Sequence, residues 1–88
     1  MKLRVADGVN LALSLQYAWV EREFGPSVRR GVELEVLKTY ERLVRHPFMG
    51  RKLNAKIRIA TINRNLGLAY NVGSTSVNVI ALVLFRAN

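Results

Sequence analysis

The sequence predicts an α+β domain in the order β-α-α-β-β-β, an antiparallel sheet with an α-helical hairpin packed on one face. Three observations predict it. Apolar residues recur at the helical period from Val9 to Val44, interrupted at Gly25-Pro26. After Gly50 the period changes from 3.6 to 2. The chain has 88 residues, enough for one hydrophobic core and no more, so residues 1–88 form a single domain in which helices and strands share that core.

Lys2–Val5 is short and mixed and reads as an edge strand, with Asp7-Gly8 as the break after it. Val9, Leu13, Tyr17, Val20 and Phe24 make one stripe of a first helix. Leu11, Leu15, Ala18 and Trp19 give that helix a second apolar face. Asp7 or Asn10 would cap its start. Gly25-Pro26 stops it, because Gly accepts a left-handed cap and Pro cannot continue the ladder.

Ser27 would cap a second helix running to about Arg45. Its stripe is Val28, Val32, Val36, Tyr40, Leu43 and Val44, widened by Leu37. Gly31 inside that helix costs about 1 kcal/mol relative to Ala; a close approach to the first helix would account for it. Pro47 ends the second helix, since the residue before a proline disfavours helical angles.

Beyond Gly50, Lys56–Ile59 and Leu66–Val72 alternate, and Gly73-Ser74-Thr75-Ser76 is a turn. Val77–Phe85 begins by alternating and becomes apolar on both faces, the pattern of a central strand covered on both sides. These three strands form a meander.

Composition removes several function classes. With no cysteine there is no disulfide framework and no thiolate metal site, which suits a reducing cytoplasm. One histidine, His46, cannot make a His-rich metal site and reads as a solvated imidazole at a helix end. All six acids lie on or before Glu41, so no carboxylate pair serves the basic half. No Gly-rich phosphate loop occurs. The apolar runs Leu11–Val20 and Val77–Phe85 are about half the roughly 20 residues a membrane span needs, and the start has no secretory pattern. No metal, cofactor or membrane is expected, and the location expected is cytoplasmic.

The net charge is +8, and its placement is uneven. Residues 1–41 balance six cations with six acids, whereas residues 42–88 carry Arg42, Arg45, Arg51, Lys52, Lys56, Arg58, Arg64 and Arg86 with no acid. Arg42 and Arg45 suit the negative end of the second helix. The other six have no such explanation. Unbalanced like charge destabilises a small domain by self-repulsion, so it points to a polyanionic or acidic partner. Lys56 and Arg58, two apart on a strand, would share one face of the sheet, opposite Ile57 and Ile59. Arg51, Lys52 and Arg64 are candidates for binding a target or an acidic partner. Trp19, Tyr17 and Phe24 fit either the core or a partner face, and Leu11, Leu15 and Trp19 are the candidates for an apolar interface.

Leu43-Val-Arg-His-Pro47-Phe-Met-Gly50-Arg51 resembles the junction L-x-x-x-P-x-x-G-R of the RelE/ParE superfamily, the toxins of type II toxin–antitoxin modules, which include plasmid-stabilisation proteins. Ile57-Arg58, Leu68-Ala-Tyr70-Asn-Val72, and Val77-Asn-Val79-Ile80-Ala-Leu82 closing on Arg86 are similar in order and spacing. Tyr17-Ala-Trp-Val-Glu before Phe24-Gly25 resembles the family's first helix more loosely.

The resemblance implies a small basic toxin that inhibits growth and is neutralised by a cognate acidic antitoxin. A homodimer, or a heterotetramer with the antitoxin, is compatible with it. One branch, RelE-like, cleaves mRNA on the ribosome without a metal, and its basic set would fall on Lys56, Arg58 and Arg86. The other, ParE-like, poisons DNA gyrase and is not a nuclease. Where the RelE-like pattern Y-R-L-x-Y carries an arginine, this chain has Gly67, and no tail beyond Asn88 is expected to bring a catalytic tyrosine. A metal-free nuclease needs cations around a pentavalent phosphate, so the expectation leans to a ParE-like toxin that is not an enzyme. The alternatives are the ribosome-dependent mRNA endonuclease and, from another class, a basic nucleic-acid-binding module without toxicity.

Overall fold

The computed structural model describes residues 1–85. It runs β1 (Lys2–Val5), α1 (Asp7–Phe24), α2 (Pro26–Arg45), β2 (Arg51–Lys52), β3 (Arg58–Thr61), β4 (Leu66–Val72) and β5 (Ser76–Leu84). The strands make one sheet in the order β1-β5-β4-β3-β2, with the helical hairpin on one face. The α+β class and the order of elements are those the periodicity predicts, with a two-residue strand, β2, added before β3.

Both helices form where the apolar period runs unbroken. On α1, Val9, Leu13 and Val20 are buried; on α2, Val36, Thr39 and Leu43 are. Val9, Leu13, Val36 and Leu43 meet Leu66, Leu68 and Tyr70 of β4 and Val77 and Val79 of β5 in the core. Thr39 enters that core because its hydroxyl donates to the Glu35 carbonyl at 2.8 Å, one turn back. Gly25 joins the helices at φ 93°, the left-handed region that a side chain strains to adopt. Its N–H donates to Glu21 O at 2.9 Å, closing α1, and its carbonyl accepts from Arg29 N at 3.2 Å, opening α2. Pro26 then occupies the first turn of α2, where its missing N–H loses nothing.

Several local expectations are corrected. Neither Asp7, Asn10 nor Ser27 caps a helix; the N-caps are Ala6 and Gly25, with no side-chain cap bond. Gly31 is exposed, with open space where a Cβ would stand, so no close helix approach explains it. Phe24, Val28 and Leu37 lie on the apolar stripes yet are exposed. Lys56 is not on a strand. The Asn54 side-chain oxygen accepts from the N–H groups of Lys56 and Ile57, both at 2.9 Å, and this turn delays β3 to Arg58.

The sheet is mixed. β1 pairs parallel with β5, Lys2 opposite Ser76 through Val5 opposite Val79, while the other pairings are antiparallel. β1 is indeed an edge, but four residues cover only the first half of β5. From Ile80 onward β5 has no strand on that side among the described residues, and Ile80 and Leu84 are exposed. The expectation that Val77–Phe85 is covered on both faces fails in its apolar second half, where Ile80, Ala81 and Leu84 are exposed. Ile80 is also the extra residue of a bulge, because Tyr70 pairs with Val79 and Ala69 with Ala81.

Tyr17 and Tyr40 face each other across the hairpin, with Arg29 lying 5.9 Å above the Tyr17 ring. Burial pushes the Tyr17 phenol up to about 12, with Tyr40 and Glu33 adding to the shift and Arg29 opposing it. A phenol whose folded pKa is raised contributes fully below its unfolded value and loses that contribution as pH rises through the folded one. Stability is therefore expected to fall between about pH 10 and pH 12, and Tyr17→Phe to fall less steeply. Urea unfolding across that range checks it; parallel curves for the two proteins would refute the assignment.

Candidate functional site

All six acids, Asp7, Glu21, Glu23, Glu33, Glu35 and Glu41, lie on α1 and α2 beside six cations. The helical layer is neutral. The whole +8 belongs to the strands, their connections and the segment after Phe85. The charge boundary is thus between layers, with Lys2 and Arg4 of β1 joining the basic side and Arg42 and Arg45 leaving it. Arg29 pairs with Glu21 at 3.6 Å and Glu33 at 3.5 Å, but among the described residues no cation of the strands or connections forms an ion pair.

Part of this charge converges on a cleft of about 440 Å³ beside the start of β3. Lys52 of β2, Lys56 of the turn and Arg58 of β3 line it, with Phe48, Asn54 and Asn71. Lys52 stands directly opposite Arg58 in the β2–β3 pair. Lys56 and Arg58 are therefore brought together as expected, though by a turn and not by a shared strand face. The other cations are dispersed. Arg51 sits opposite Ile59, the next pair along. Arg64 lies in the β3–β4 turn, at the far end of β4 from the cleft, and does not join it. Arg86 lies outside the described residues.

Arg58 is engaged from within. Its guanidinium donates to Gly50 O at 2.7 Å and Phe48 O at 3.1 Å and lies 5.2 Å from the Phe48 ring. Beside it the buried Tyr70 hydroxyl accepts from Gly50 N at 2.9 Å. β3 and β4 thus fix the junction between α2 and β2. At Gly67 a Cβ would stand 2.6 Å from the Phe85 ring. That ring fills the space a side chain at position 67 would need.

A second surface is apolar. Leu11 and Leu15 are about two-thirds exposed and Trp19 nearly half, all on the side of α1 away from the core. Trp19 stacks edge-to-face on the exposed Phe24 at 5.7 Å. Of the three aromatics left open between core and partner face, only Tyr17 packs on the core. The surface continues into a groove lined by Trp19, Phe24, Val28, Leu84 and Phe85, next to the uncovered half of β5. A row of unpaired strand groups beside exposed apolar side chains is a template for an added segment. Its strand half was missed in the sequence, since Ile80 to Leu84 reads the same whether or not a neighbour covers it. Phe48, Met49 and Leu53 were also missed as exposed groups; their one signal is that they fall in a connection, outside either period.

No protein-family model matches the chain, and no curated protein matches it. Among solved structures, it is similar to a chain of the chromosomal ParDE TA system from P. aeruginosa, with a TM-score of 0.83. The match covers 98% of this chain and 97% of that one at 16% sequence identity, and establishes a shared fold. No helix among the described residues is long and apolar enough to cross a membrane.

Proposed function

We propose that this chain is the toxin component of a type II toxin–antitoxin module, ParE-like, acting by binding a cellular target, DNA gyrase, and neutralised by an acidic antitoxin. The observation that carries the reading is a fold shared over nearly the whole of both chains with a member of a ParDE system. The two surfaces support it. The outer face of α1, with Leu11, Leu15 and Trp19, and the uncovered half of β5 offer an antitoxin an apolar helix face and a strand edge side by side. The basic layer offers an acidic partner charge to neutralise.

The gathering of Lys52, Lys56 and Arg58 in one cleft favours the ribosome-dependent mRNA endonuclease as second reading, with Lys56, Arg58 and Arg86 stabilising the phosphate. Against it, Arg58 already serves two backbone carbonyls, and Phe85 occupies the place beside Gly67. The experiment is a direct comparison of the purified chain on gyrase and on programmed ribosomes. Inhibited supercoiling with intact mRNA is expected. Codon-positioned cuts that vanish in Arg58→Ala would replace this reading with the second.

A further inference from the structure

The junction between α2 and β3 exposes apolar side chains that no element of the fold covers. Phe48 and Leu53 are about two-thirds exposed and Met49 is 40% exposed. Lys52 and Lys56 lie between and just beyond them in the sequence and line one cleft with Phe48, and neither forms an ion pair among the described residues. Exposure here does not mean looseness. Arg58 and Tyr70 hold residues 48–50 from below, and Met49 N donates to His46 O at 3.1 Å. The next loop is held as well, Leu53 N donating to Ile57 O at 2.9 Å and Asn54 closing its own turn. A surface fixed before binding loses little entropy on binding.

This knuckle lies at the Val72 end of β4, whereas the apolar groove of the hairpin lies at the Leu66 end. Seven residues of strand separate the two by roughly 20 Å. They are different sites.

We propose that the knuckle of Phe48, Met49 and Leu53 with Lys52 and Lys56 is a preorganised docking surface for an acidic protein segment bearing apolar side chains. Charge complementarity fixes the acidic half of that description, since the knuckle's charged groups are all cations. The three apolar groups fix the other half. A nucleic-acid strand fits less well: Phe48 is the one aromatic ring exposed here, and Arg58 lies against it. The inference deepens the toxin reading by placing the target's contact at the knuckle, and is testable apart from toxicity.

The test uses the purified full chain with three probes in about 0.15 M salt: a short synthetic peptide mixing Glu with Leu and Phe, polyglutamate of equal length, and oligo-dT. Amide NMR maps each, and fluorescence anisotropy gives affinities. The mixed peptide is expected to shift residues 48–56 and to bind more tightly than either other probe. Phe48→Ala with Leu53→Ala should weaken it about tenfold, with helical circular dichroism unchanged because both groups are exposed. Lys52→Glu with Lys56→Glu should weaken it as much, so the proposal stands testable if one pair fails to fold. Equal binding of polyglutamate, tighter binding of oligo-dT at the knuckle, or shifts confined to α1 and β5 would overturn it. Growth arrest is scored separately in cells, so a chain that binds the peptide without arresting growth refutes the toxin reading alone.

Discussion

Gly50→Ala is expected to destabilise the protein by about 2–4 kcal/mol, although the change adds one methyl group. A Cβ at position 50 would stand 2.7 Å from Ile59 O, 2.7 Å from the Tyr70 hydroxyl and 2.8 Å from Tyr70 Cε1. Neither neighbour has room to yield. Ile59 O is strand backbone, and Tyr70 is fully buried in the core. Displacing the junction would also break the Gly50 N–Tyr70 hydroxyl bond and leave a buried phenol unsatisfied. The requirement is for space, since Gly25 is the only described residue at positive φ. Gly31→Ala is the control. It adds a methyl into open space on a helix and should stabilise by about 0.5–1 kcal/mol. Urea unfolding of both variants gives opposite signs if this account is right; equal effects would contradict it.

If the chain is bound by the antitoxin proposed above, Trp19→Ala should weaken that binding by about 2 kcal/mol, near 30-fold in Kd. Trp19 is a large aromatic with 43% of its surface open, stacked on Phe24 and facing away from the core. Leu15→Glu should do at least as much, because it places a carboxylate in an apolar contact facing an acidic partner. Titration of the purified pair by calorimetry measures both. Neither substitution touches the cleft at the other end of β4, so toxicity without antitoxin should remain. Undiminished affinity in both variants would remove α1 from the interface.

The sequence carries the local part of this fold. Unbroken apolar spacing marks both helices, Gly25-Pro26 marks their turn, and alternation marks β4 and the start of β5. Non-local choices were not legible. The pairing of β1 with β5 joins residues more than 70 positions apart, and its parallel sense leaves no mark on Lys2–Val5. The length of β1 then decides that Ile80–Leu84 stays uncovered. At the site, charge segregation was legible as composition, but its true boundary is the surface between helical layer and sheet. Lys56 was misplaced because Asn54, a turn-forming side chain, breaks an alternation that looks continuous. Arg58 reads as a free cation in sequence, and only the fold brings the Phe48 and Gly50 carbonyls to it.

The central claim is that this chain arrests growth by binding a target, and that an acidic antitoxin relieves it. Inducing the chain alone, and then with the acidic reading frame expected beside it, tests that claim most directly. Growth should stop with a DNA-damage response when the chain is alone and resume when the partner is co-expressed. Unimpaired growth on induction, with the folded chain present in the cells, would contradict the account.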